Sequence, residues 1–151
     1  MSRPFRFHTP IKVRYNETDQ QGHVNFAHFL SYFDVGLTEY LDMVGYPYAA
    51  MLDEGVDIVY IESHCNYDAP VYWPEVLRIH SRIGHLGTRS IRFDFEIRAE
   101  RDDRRVARGH IVAVSVTKGS LEPCPIPERL RQAVDRYEGP EAGEAEAEMT
   151  D

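Results

Sequence analysis

The chain has 151 residues, with 17 Lys and Arg against 25 Asp and Glu, giving a formal net charge of -8. That length suits one domain with a substantial core, and the 42% hydrophobic and 28% charged fractions are those of a soluble globular protein. No apolar run approaches the roughly 20 residues that span a bilayer, and net negative charge disfavours nucleic acid or anionic membrane as a partner.

Met1 to Pro10 has no apolar stretch followed by a small-residue cleavage site, so a cytoplasmic location is expected. From Phe5 to Tyr15, Ile11, Val13 and Tyr15 alternate with Lys12 and Arg14, the period-two pattern of a half-buried strand. A polar loop from Asn16 to Asn25 follows. Phe26, Phe29, Leu30, Phe33, Leu37, Tyr40, Leu41 and Val44 then recur at helical spacing, predicting a long helix with Asn25 as N-cap, Gly45 as C-cap and Pro47 just beyond. A short helix is expected over Tyr48 to Glu54. Strands are predicted over Val56 to Tyr67, Val76 to Leu86, Ser90 to Ala99 and Val106 to Thr117, and a last amphipathic helix over Pro127 to Tyr137.

The segment 138–151 carries six acidic residues, no Lys or Arg and no aromatic, so it holds six of the eight net negative charges. It reads as a disordered tail after a folded domain of residues 1–137. The order of one strand, a long helix and a run of strands fits an α+β fold in which a single antiparallel sheet wraps the helix, since both apolar faces must be buried.

The chemistry concentrates in Asn16 to Tyr32, N-E-T-D-Q-Q-G-H-V-N-F-A-H-F-L-S-Y, where Glu17, Asp19, His23 and Asn25 stand between a strand end and a helix start. A helix N-terminus offers unpaired N–H groups and about half a positive charge, which can hold a carbonyl oxygen as negative charge develops on it. An acid on the preceding loop could activate water or attack the carbonyl. Gly22 fits a sharp turn there. The same acids would equally serve the helix dipole, and Asn25 a simple cap. His28, inside the helix, reads as a packed or surface residue. His23 and His28 are five apart, off the spacing that puts two ligands on one helical face, and the remaining histidines have no ligand spacing, so neither metal nor other cofactor is expected. Cys65 and Cys124, without C-x-x-C spacing, are expected to be free thiols. There is no G-x-S-x-G elbow, G-x-G-x-x-G loop or P-loop lysine.

V-R-Y-N-E-T-D-Q-Q-G-H-V-N (Val13 to Asn25), D-A-P-V-Y-W-P-E-V-L (Asp68 to Leu77), A-R-G-H-I-V-A-V-S-V (Ala107 to Val116) and P-C-P-I-P-E-R-L (Pro123 to Leu130) resemble the 4-hydroxybenzoyl-CoA thioesterase family of hotdog proteins, in its acyl-CoA thioesterase branch. The resemblance spans about residues 8 to 135. It implies hydrolysis of a fatty or aromatic acyl-CoA, with the acid at Asp19 as nucleophile or general base and the backbone N–H near Phe26 polarising the thioester carbonyl. Gly22, His23 and Asn25 stand with them in the motif. Some relatives carry Tyr-His where this chain has Asn25 and Phe26. Another hotdog branch uses a Glu on the central helix, for which Glu39 is the stand-in here. Tyr15 and Phe29 are expected to contact substrate, and Arg89 and Arg92, with Ser90, near the hairpin end at Gly87 to Ser90, the phosphates of CoA. The family also implies a homodimer in which two sheets join edge to edge, or a tetramer of such dimers, with substrate between protomers. A hotdog hydratase or dehydratase using His23, and a non-catalytic acyl-thioester binding protein, are the alternatives.

Overall fold

The computed structural model describes residues 4–139. Five strands, β1 (Phe7–Lys12), β2 (Val56–Tyr67), β3 (Val76–Leu86), β4 (Ser90–Ala99) and β5 (Arg105–Thr117), form one antiparallel sheet in the order β1-β3-β4-β5-β2. The helices are α1 (His28–Met43), α2 (Tyr48–Asp53) and α3 (Glu128–Glu138). This is the α+β arrangement expected from the element order, a single antiparallel sheet of five strands curled about α1, and it matches the hotdog fold that the resemblance implies.

Helical periodicity brings Phe29, Tyr32, Phe33, Leu37, Tyr40 and Leu41 to one buried face of α1. The strict alternation of β4 turns Ile91, Phe93, Phe95 and Ile97 toward that face. Phe33 stacks on Phe95 with ring centroids 4.6 Å apart, at the centre of the core. Two glycines let helix and sheet approach this closely. A Cβ on Gly36 would lie 2.5 Å from Ser81 Oγ, and one on Gly109 would meet the His64 carbonyl and the Phe33 ring.

The ends of the elements differ from expectation for local reasons. β1 stops at Lys12, because the Arg14 N–H turns to the Glu17 carboxylate and the chain enters a 3-10 turn over Tyr15–Glu17. Helical hydrogen bonding begins at His28. Asn25 Oδ1 accepts the Ala27 N–H instead, so Asn25 caps the turn that leads into α1. Gly45 stands at φ +90°, its N–H bonded to the Asp42 carbonyl and the Tyr46 N–H to that of Leu41, a left-handed helix stop that favours glycine. Glu138, grouped by charge with the tail, is the last residue of α3, where its buried carboxylate accepts the Tyr40 hydroxyl at 2.7 Å. The rest of the acidic segment lies outside the described residues. No helix among the described residues is long and apolar enough to cross a membrane.

Candidate active site

The loop from Thr18 to Val24 is a tight hairpin-like turn that presents one acid. The Asp19 N–H donates to the His23 carbonyl at 3.0 Å and the Gly22 N–H to the Asp19 carbonyl at 2.9 Å, closing a turn in which Gly22 takes φ +88°. No atom would obstruct a Cβ on Gly22, so conformation rather than space calls for glycine there. Asp19 Oδ1 accepts the Gln21 N–H at 2.8 Å, while Oδ2 faces His23 Nδ1 at 4.0 Å. The carboxylate is thus aimed by its own turn, and its side chain keeps 29% exposure.

Glu17, two residues earlier, has a different task. It is buried, and its Oε1 accepts the Arg14 N–H and the Tyr32 hydroxyl, both at 2.8 Å, while Oε2 accepts the Arg14 guanidinium. Burial pushes this carboxyl up, but the bonds from Arg14 and Tyr32 and the Arg14 charge more than offset that and hold it below the usual range. The same burial, with the anionic Glu17 beside it, raises the Tyr32 phenol, which remains a donor. Glu17 therefore ties the loop to α1, and its backbone carbonyl accepts the Asn25 N–H at 2.9 Å, fixing both ends of the Asp19 turn.

The opposite wall comes from the end of β2 and the segment after it. Tyr67 donates its hydroxyl to the Phe26 carbonyl at 3.2 Å and packs edge-on against Phe26 and Phe29. Asp68 is held by Arg105 at 3.2 Å, and the next turn by Glu75, which accepts the Tyr72 N–H and Arg104. The Glu75 carboxyl, raised by burial, is brought below its ordinary value by Arg104, the Tyr72 N–H and Arg101. The His23 and Val24 backbone joins this segment through a bridge to Tyr72 and an N–H bond to Val71. Between the two walls lies an open cleft of about 350 Å³, lined by Asp19, His23, Phe26, Phe29, Tyr67 and Asp68 among others.

Of the residues singled out by sequence, Asp19, His23, Phe26 and Phe29 share this cleft. Among the described residues the Phe26 N–H has no acceptor, whereas the N–H groups of Ala27, His28 and Phe29 bond within the turn. Gly22 and Asn25 shape the loop and the turn without lining the cleft. Tyr15 lies outside it, edge-on to Trp73. Arg89 and Ser90 sit toward the other end of the sheet, with Ser90 about 23 Å along β4 from the Ile97 position that lies level with Tyr67, and they do not line the cleft. Ser90 is moreover buried. Glu39 lies on the exposed side of α1. Tyr67 and Asp68 were not legible as site residues, although the D-A-P motif marks the segment. No group of three or more His, Cys, Asp and Glu suited to a metal ion occurs among the described residues.

A long helix wrapped by one curled antiparallel sheet, with an acid-bearing loop at the helix mouth, is the arrangement of a hotdog protein. Residues 13–134 match the thioesterase-like superfamily, and the chain belongs to that family. It is 23% identical over 128 residues to the acyl-CoA thioesterase YbgC of Haemophilus influenzae, covering 84% of this chain and 93% of that protein. Among solved structures, the PA5185 protein of Pseudomonas aeruginosa superposes with a TM-score of 0.78 at 28% identity, over 87% of this chain and 91% of that one. The DHNA-CoA thioesterase of Staphylococcus aureus shares the fold, with a TM-score of 0.81 at 20% identity over 95% of each chain. Acyl-CoA thioesterase activity is the family-level function of this enzyme.

Proposed function

We propose that the chain hydrolyses acyl-CoA with Asp19 as the catalytic carboxylate and the Phe26 N–H as the donor to the thioester oxygen. The supporting observation is their common cleft: an aimed, partly exposed acid and an N–H without an acceptor at the mouth of α1. In the nucleophilic route an Asp19 oxygen attacks the carbonyl, the C–S bond breaks, CoA leaves as thiolate and water hydrolyses the resulting anhydride. In the general-base route Asp19 takes a proton from water, which attacks directly. Both routes build negative charge on the thioester oxygen, which the N–H and the positive end of the helix stabilise.

The cleft belongs, in this reading, to a dimer. β2 is the long edge strand, and it leaves Ile61 and Tyr67 exposed, with exposed Leu30 of α1 beside Ile61. An edge of that length and character pairs readily with a second copy, giving a dimer or a tetramer of dimers with substrate between protomers. Two free thiols and a CoA substrate fit a reducing cytoplasm.

A thiol-release assay over acetyl-, hexanoyl-, palmitoyl-, benzoyl- and phenylacetyl-CoA tests the chemistry. Release of CoA thiol that is lost in Asp19→Asn and kept in Glu39→Gln is the expected result. Enoyl hydration with the thioester left intact would move the assignment to the hydratase class, with His23 and Asp19 as its pair.

A further inference from the structure

The seam between α1 and β2 holds more empty space than chemistry at the helix mouth requires. Beyond the cleft, a second hollow of about 320 Å³ opens between Leu30 on one side and Ser63 and Ile111 on the other. A third, of about 310 Å³, lies between Leu37 and Thr38 of α1 and Ile58 of β2. The hollows follow one another: Phe26 and Phe29, then Leu30, then Leu37 along the helix, and Tyr67, Ser63, Tyr60 and Ile58 back along the strand. Tyr67 and Ser63 oppose the Ala107 and Ile111 positions of β5, and Tyr60 that of Ala113, so they lie along the row that faces α1. Between Tyr67 and Tyr60 the row carries the small side chains of Ser63 and Cys65, which leaves the trough.

Tyr60 lines both the second and the third hollow, and its hydroxyl donates to Asp34 Oδ1 at 2.5 Å. A bonded bar therefore crosses the seam. On the cleft side of the bar Leu30, Ile61 and Ile111 line the hollow together with Ser63 and Glu62. Beyond it Leu37 and Ile58 stand with Asp34, Thr38 and Tyr48.

Resting on the acyl-CoA reading of the cleft, we propose that this seam is the groove for the acyl chain and that Tyr60, pinned by Asp34, is the stop that limits chain length. From Phe26 to Asp34 is about 12 Å at helical rise, which suits a straight acyl group of medium length. The terminal methyl then meets the Tyr60 ring, and a longer chain would have to break the Tyr60–Asp34 bond and move the ring to pass. In the proposed dimer a second copy along β2 roofs the groove.

The test compares kcat/KM for acetyl-, octanoyl-, palmitoyl- and benzoyl-CoA in the wild type, Tyr60→Ala, Tyr60→Phe and Ser63→Leu. Tyr60→Ala should raise the palmitoyl-to-octanoyl ratio by about tenfold or more, as removal of a pocket wall does, while Tyr60→Phe, which keeps the ring, shifts it by only a few-fold. Ser63→Leu, which fills the trough ahead of the bar, should lower the octanoyl-to-acetyl ratio by about tenfold. An unchanged palmitoyl-to-octanoyl ratio in folded Tyr60→Ala overturns the proposal, and so does an unchanged octanoyl-to-acetyl ratio in Ser63→Leu, which decides the matter if Tyr60→Ala does not fold. A wild type that cleaves benzoyl-CoA and no straight-chain ester overturns the groove and leaves the Asp19 reading intact. Absence of thiol release from every ester overturns both.

Discussion

Changing Glu17 to Gln keeps the size of the side chain and removes the charge that ties the catalytic loop to α1. The amide oxygen of Gln can accept the two bonds now made to Oε1, from the Arg14 N–H and the Tyr32 hydroxyl. Its NH2 then faces the Arg14 guanidinium, whose side chain is 76% exposed and turns into water. The loss is therefore the difference between a charged and a neutral acceptor at two sites. Bonds to charged groups contribute roughly 1.5–3 kcal/mol and neutral ones about 1, so Glu17→Gln should cost about 1–4 kcal/mol, with less than about 1 kcal/mol more from the exposed ion pair. In a domain of this size, at about 2–4 °C per kcal/mol, that lowers Tm by at least about 2 °C. The Asn25 N–H hangs on the Glu17 carbonyl and the Asp19 turn lies between them, so kcat should also fall, by about tenfold. Denaturant unfolding and thiol release on wild type, Glu17→Gln, Tyr32→Phe and the double variant measure this directly. A coupling of about 1 kcal/mol between the two sites is expected. Additive effects, or a Glu17→Gln variant as stable and active as the wild type, would refute the role given to the bracket.

The Glu17 carboxyl titrates below its ordinary value of 4.5, so its contribution is present above that pH and disappears as pH falls through the depressed value. The stability gap between wild type and Glu17→Gln should therefore be constant at neutral pH and close in acid, and a gap that widens in acid would contradict the sign. Gly36→Ala, which puts a Cβ 2.5 Å from Ser81 Oγ and 2.8 Å from Ile79 Cγ2, should cost about 1–3 kcal/mol in the denaturant midpoint. An unmoved midpoint would show that α1 does not lie so close to the sheet. Tyr67→Phe loses the bond to the Phe26 carbonyl and a weak thiol contact with Cys65, so stability should change by less than about 1 kcal/mol, while KM for acyl-CoA stays within a few-fold and kcat drops.

Periodicity made α1 and the four strands after it legible, because each buries a continuous stripe whose repeat is written in neighbouring residues. The D-Q-Q-G-H-V-N segment was legible as well, since an acid, a turn glycine and a helix start lie within seven positions. The far wall of the cleft was not. Tyr67 and Asp68 reach Phe26 only through the pairing of β2 with β5, which joins residues some forty positions apart. Glu17 and Asp19 looked equivalent by residue type, with the resemblance alone singling out Asp19, and it is the arrival of Tyr32 from α1 that makes Glu17 a buried anchor. Arg89 and Ser90 suggested a phosphate contact by residue type and by the turn they stand at, and only the direction of β4 shows that this turn lies at the opposite end of the sheet from the cleft. Glu138 looked like tail by charge, and its docking depends on Tyr40, nearly a hundred residues earlier.

The central claim is that the Asp19 carboxylate, and not its place before a helix, makes the rate. Asp19→Asn keeps the acceptor for the Gln21 N–H and removes the charge, so one purified preparation suffices for both kcat and the melting curve. The expected result is a loss of several powers of ten in kcat with Tm nearly unchanged and acyl-CoA still bound, the signature of an interaction made in the transition state. Turnover within a few-fold of wild type, with a stability loss of about 1 kcal/mol as for a helix-end acid, would contradict the claim.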